Sequence, residues 1–240
     1  RYDEAEKYFL LARMLGPDDR HTTYIMINLY LRADGKVDRA KELLHETIAE
    51  TDSDEILYTF VDGPLVQRVL VFSDFSLVSR ISSTDSPSER HLFNAEMYYQ
   101  TGEVDLARVY YDSLRVSIES SIAGMKEIGP RLSPNISRLG FVYARMGIKD
   151  KAIKYGEMAV EILPVSRDAV QGLVHLSRLA MIYAIVGEHD KAFELLDRIF
   201  AMPVSIIITP ELVRLDPLWD PIRDDPRFDK LIDKYSEAPN

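Results

Sequence analysis

Cysteine is absent from all 240 residues, so the chain has no disulfide, no thiolate nucleophile and no Cys-ligated metal. That fits a reducing compartment, and a cytoplasmic location is expected, although a periplasmic one tolerates the same composition. Positive charge is the scarcer sign: 29 Lys+Arg against 39 Asp+Glu leave a formal net charge of −10. Phosphate backbones are held by clustered Lys and Arg that release counterions, so no nucleic-acid partner is expected. The same balance disfavours an anionic membrane surface. No run reaches the roughly 18 to 20 apolar residues of a membrane helix, and no basic-then-apolar leader opens the chain.

Enzyme signatures are missing as well. The histidines His21, His45, His91, His175 and His189 form no HExxH pair, and there is neither a Gly-x-Ser-x-Gly elbow nor a Gly-x4-Gly-Lys phosphate loop. The aspartates Asp216, Asp220, Asp224, Asp225 and Asp229 lack the glycine and closing glutamate of a calcium loop. No catalytic residue, metal or cofactor is therefore expected.

What the sequence does contain is a repeat. Gly35, Gly102, Gly147 and Gly187 are each followed five residues later by alanine, at Ala40, Ala107, Ala152 and Ala192. Seven residues before the last three glycines stand the small residues Ala95, Gly140 and Ala180, and four before them stand Tyr98, Tyr143 and Tyr183. The first unit has Asn28 and Leu31 in those places. A glycine between two such segments permits a left-handed turn, and small residues on both sides let two helices fold back closely on each other. Nine residues after the glycine a large apolar side chain fills the gap at Leu44, Tyr111 and Leu196, whereas the third unit has Gly156. Ala5, Phe9, Ala12 and Pro17 have the mutual offsets of a second helix alone. Since the chain opens Arg1-Tyr2-Asp3 directly in a helical pattern, it is expected to be a piece of a longer protein whose first helix lies upstream.

This pattern of small residue, Tyr, Gly and Ala with trailing Phe, Ala and Pro resembles the tetratricopeptide repeat (TPR) family. The resemblance implies an all-α fold, a right-handed α-solenoid of antiparallel helix pairs, whose activity is protein-protein interaction. The expected array spans 1–204, with a truncated unit 1–19 and further units at about 20–52, 53–87, 88–130, 131–168 and 169–204. The unit at 53–87 is degenerate; it is inferred because Gly35 and Gly102 stand 67 residues apart, nearly twice the family repeat of about 34. Its apolar stretch 56–81 carries few charges and is a candidate for self-association.

Residues 205–240 are expected to form a capping segment of short helices. Thr209-Pro210, Asp216-Pro217, Asp220-Pro221 and Asp225-Pro226 each pair an N-cap residue with a proline suited to the first helical position, and Trp219 and Phe228 would anchor the segment apolarly on the last repeat. The run from Leu215 to Phe228 resembles the ending of TPR regions attached in bacteria to cyclases, serine/threonine kinases and TolB-like or winged-helix regulators. That resemblance implies a regulatory or docking region of a larger signalling protein.

In the family the first helices line a concave groove. The corresponding offsets select Phe93 and Tyr99, then Ser137, Arg138, Phe141 and Arg145, then Ser177, Arg178 and Met181 as partner-binding candidates. Arg138 and Arg178 each stand nine residues before their glycine and would stack as a short basic ladder suited to an acidic protein or peptide. The family's carboxylate clamp uses Lys and Asn, where this chain has Ile25 and Leu29, or Leu92 and Glu96. That clamp is not expected. The alternative function is sensory, with the groove binding a small anionic ligand that regulates an attached cyclase, kinase or transcription regulator.

Overall fold

The computed structural model describes residues 2–16, 19–33, 35–50, 87–125, 129–202 and 208–236. The expected degenerate unit, save residue 87, and the apolar stretch 56–81 fall outside these. The described residues form helices and turns with no strand. The fold is all-α.

The chain divides into two compact units. One comprises 1–85, 209–217 and 236–240; the other comprises 86–208 and 218–235. In the first, α1 (Tyr2–Leu15) packs on α2 (Arg20–Ala33), and α2 and α3 (Val37–Glu50) form a hairpin. Met26, Ile27, Leu31, Ala40 and Leu44 are its buried contacts. A short helix α10 (Pro210–Leu215) also packs on α2. Thr209 caps it, its Oγ1 accepting the Leu212 amide at 3.3 Å, while Pro210 opens the first turn and Leu212 and Val213 are buried.

Among the described residues the second unit holds three hairpins: α4 (Pro87–Gln100) with α5 (Val104–Ala123), α6 (Ser133–Arg145) with α7 (Lys149–Ile162), and α8 (Gln171–Ile185) with α9 (His189–Phe200). Successive hairpins stack: α5 packs on α6, α6 on α8, and α7 on α8. Two further helices, α11 (Asp220–Arg223) and α12 (Pro226–Ser236), complete the unit, and α11 packs on α8. Residues 218–235 bury Trp219, Ile222, Phe228 and Ile232. α12 is tied to α9 by Arg227 to Asp190 at 2.6 Å and Lys234 to Asp197 at 2.6 Å, with the Tyr235 ring tilted against Phe200. The 205–240 segment thus contributes to both units.

Among the described residues, all four hairpins turn on a glycine. Gly35, Gly102, Gly147 and Gly187 have φ of 65°, 83°, 76° and 81°, and no other described residue has positive φ. In the last three turns the amide after the glycine donates to the carbonyl of the tyrosine four residues before it: Glu103 to Tyr98, Ile148 to Tyr143 and Glu188 to Tyr183, at 2.8 to 2.9 Å. This bond satisfies a carbonyl the helix end would otherwise orphan. The first turn is wound one residue wider, from Lys36 to Tyr30 at 3.0 Å, and there the tyrosine itself stands one position earlier.

Small residues set the spacing. Ala40, Ala95, Ala107, Ala152, Ala180 and Ala192 are fully buried. A Cβ added to Gly140 would lie 2.8 Å from the Gly156 nitrogen and 3.0 Å from the Ala152 oxygen, so the backbones of α6 and α7 touch. Gly156, where the repeat lacks its large residue, has a physical reason: Leu179 and Ile182 of α8 occupy that space, and a Cβ there would come within 2.8 and 2.9 Å of their methyls.

Candidate functional site

The α6 and α8 helices of the second unit pack side by side, and a polar seam runs between them. At its start Ser133 donates its hydroxyl to the Pro130 carbonyl at 2.8 Å, and His175 Nε2 lies 2.9 Å from the same Ser133 oxygen. With the serine proton committed to Pro130, Nε2 is assigned the histidine proton, which leaves Nδ1 a bare acceptor with no partner among the described residues. His175 is 1% exposed. Burial, followed by the positive charge of Arg178, pushes its pKa down to about 4, against a smaller pull from Asp168. One turn along, Arg178 Nη1 donates to Ser137 Oγ at 3.0 Å.

The residues singled out by the repeat offsets divide into two groups. Ser137, Phe141, Ser177 and Met181 are buried; Ser177 donates back to the Leu173 carbonyl at 2.8 Å, inside its own helix. Arg138, Arg178 and Phe93 are half-buried and Tyr99 is exposed, so these retain surface that a partner could touch. Arg138 makes no hydrogen bond or ion pair with any described residue.

Arg145 lies in a second cluster. Its side chain is 4% exposed and grips Glu96, 5% exposed, through two bonds: Nε to Oε1 at 3.1 Å and Nη2 to Oε2 at 2.7 Å. Tyr111 donates its hydroxyl to Glu96 at 2.5 Å, and the Arg145 guanidinium stacks 4.2 Å from the Tyr99 ring centre. Burial works against the Arg145 charge, but Glu96 and Tyr111 more than offset it, and its pKa rises above the ordinary value. Burial first and Glu96 second raise the Tyr111 phenol likewise. This is a desolvated ion pair with its hydrogen bonds made, which ties α4 and α5 to α6.

A recurring tyrosine contact escapes the glycine-centred reading. Tyr183 donates to Glu157 at 2.7 Å, Tyr143 to Glu119, and Tyr30 to Glu6 at 3.2 Å; each hydroxyl reaches back from a first helix to the second helix before it. Over each ring sits a cation from the same hairpin: Lys191 over Tyr183, Lys151 over Tyr143, Arg39 over Tyr30. The available signal was Arg39, Lys151 and Lys191, each four residues after its glycine.

Among the described residues no group of three His, Asp or Glu could hold a metal ion, and no helix is long and apolar enough to cross a membrane. No protein-family model matches the chain, and no curated protein matches it.

Proposed function

We propose that the chain is a non-catalytic helical-repeat scaffold of tetratricopeptide type that holds a protein or peptide along the first helices α6 and α8. The observation that carries this reading is the pairing of Arg138 and Arg178 at equal offsets on two helices packed side by side. Arg138 makes no bond with any described residue. In a TPR-like superhelix these faces would turn inward, and the chain's acidic remainder would make the arginines the attractive point for an acidic or carboxylate-bearing partner. The repeated glycine turns and the stacking of successive hairpins support the repeat reading. The likeness of Leu215 to Phe228 to bacterial signalling proteins supports a regulatory or docking role within a larger protein.

The test is affinity capture from the source cell with the chain and with its Arg138→Glu, Arg178→Glu variant as matched baits, both checked for native helicity and melting temperature. A partner held by the first bait is expected to lose at least about tenfold in affinity for the second. Equal capture by both folded baits removes the basic ladder from the function.

A further inference from the structure

We propose that Tyr98 and Tyr110 form an oxidative modification site, where a one-electron oxidant couples the two phenols and staples α4 to α5 through a dityrosine link. Two rings held side by side on one hairpin carry the inference.

Tyr98 stands four residues before Gly102 and Tyr110 eight after it, so the turn brings them together. The rings stack with centres 5.4 Å apart and planes 20° apart. His91, about two turns before Tyr98 on α4, lays a tilted ring on Tyr110 at 6.0 Å, so two rings of α4 hold the one from α5. The hydroxyls of the pair also face each other. The charge that Tyr110 would carry as phenolate is the first cause holding the Tyr98 phenol above its ordinary value, ahead of burial and Glu103. Both rings are half-buried and keep some surface in solvent.

The next hairpin stacks its phenols in the same way but does not leave them as free. Tyr143 and Tyr155 lie at 5.5 Å and 12°, yet Tyr143 is 1% exposed, its hydroxyl is committed to Glu119, and Lys151 sits over its ring. Arg39, Lys151 and Lys191 each stand four residues after their glycine, where the α4–α5 hairpin has Leu106. Among the described residues no cation covers Tyr98 or Tyr110. Removing an electron makes a ring more positive, so a cation resting on its face opposes the oxidation. The chain also has no thiol to give up an electron first, and its single tryptophan, Trp219, is fully buried.

The reaction balances with hydrogen peroxide and a haem peroxidase as the oxidant. Each phenol gives up one electron and its hydroxyl proton, and the two radicals join through the ring carbons ortho to the oxygens. The two ortho C–H bonds then break as their hydrogens return to the oxygens. One C–C bond has formed, the chain has lost two hydrogens, and the peroxide has become two waters. Because the partner ring is already in place, coupling within a chain outruns encounter between chains. The inference is independent of what α6 and α8 bind.

The test treats the 240-residue chain with limiting peroxide and a haem peroxidase over a range of protein concentrations. Dityrosine fluorescence, intact mass and peptide mapping read the product. The expected product is a monomer lighter by two hydrogens and linked from Tyr98 to Tyr110, in a yield per chain that does not change with concentration. Tyr98→Phe and Tyr110→Phe, each with its helicity verified by circular dichroism, are expected to lower that yield at least about tenfold. Tyr155→Phe is expected to leave it unchanged. A link mapped to another pair overturns the proposal, as does a yield per chain that rises with concentration or an equal yield from Tyr98→Phe. The absence of any link, under conditions that couple N-acetyltyrosine, overturns it too.

Discussion

His175 is buried where α6 and α8 pack together. Its imidazole is neutral in the fold, with a pKa near 4, and returns to 6.5 when the chain unfolds. Between those values the unfolded state binds the proton and the folded state does not, so stability falls as pH drops from about 6.5 to about 4 and is level outside that window. The span of about 2.5 units corresponds to roughly 3 kcal/mol. Melting temperatures measured across this range are expected to show that loss, and the His175→Gln variant to lack its histidine component. If the wild type and the variant follow the same pH curve, the imidazole is not held neutral. Arg145 teaches the converse lesson at the same scale. Its offset groups it with Arg138 and Arg178, yet Glu96, 49 residues earlier in the chain, takes up its guanidinium. Spacing within a helix fixes which face a side chain occupies; it does not reveal what a distant helix brings to meet it.

At the scale of the helices, glycine does two separable jobs. At Gly147 it supplies a backbone angle, and a Cβ there would meet nothing within 4 Å. At Gly140 it supplies room, against the backbone of α7. Gly147→Ala is therefore expected to cost about 1–2 kcal/mol through the left-handed angle alone, and Gly147→Asn less, since asparagine tolerates that region. Gly140→Ala is expected to cost about 1–3 kcal/mol through overpacking, although alanine is the better helix former. Denaturant titrations check both, and equal costs for the alanine and asparagine variants at position 147 would argue against backbone strain.

The same distinction explains what could be read in advance. The helical class and the hairpin turns are legible because a positive angle leaves few residues besides glycine, and because Ala107, Ala152 and Ala192 recur at one offset from it. The boundary between the two units is not. It depends on residues 209–217 packing on α2, a contact between ends of the chain that no local pattern encodes. In the seam, the arginines at equal offsets were legible. The His175–Ser133 bond spans 42 residues and was not.

Across the whole molecule, tyrosine is the fastener. Tyr30, Tyr143 and Tyr183 each tie a first helix to the second helix before it, and Tyr111 completes the Glu96 and Arg145 cluster. For all four, burial comes first, and nearby glutamate also raises the phenol above its ordinary value of 10, for Tyr143 to about 12. An acid whose folded pKa is raised stabilises the fold fully below the unfolded value and loses that contribution as pH climbs past 10. These fasteners are consequently also a built-in optical gauge. Phenolate absorbs where phenol does not, and these four rings cannot ionise at their ordinary pKa while the hairpins hold. An alkaline titration followed in the near ultraviolet is expected to show, for these four rings, a steep rise delayed beyond the ordinary phenol range and coincident with the loss of helical circular dichroism. A single smooth rise at the ordinary value, with helix intact, would mean that the hydroxyls are not fastened. If the two signals do move together, each remaining folded molecule can be counted by the light its tyrosines have yet to absorb.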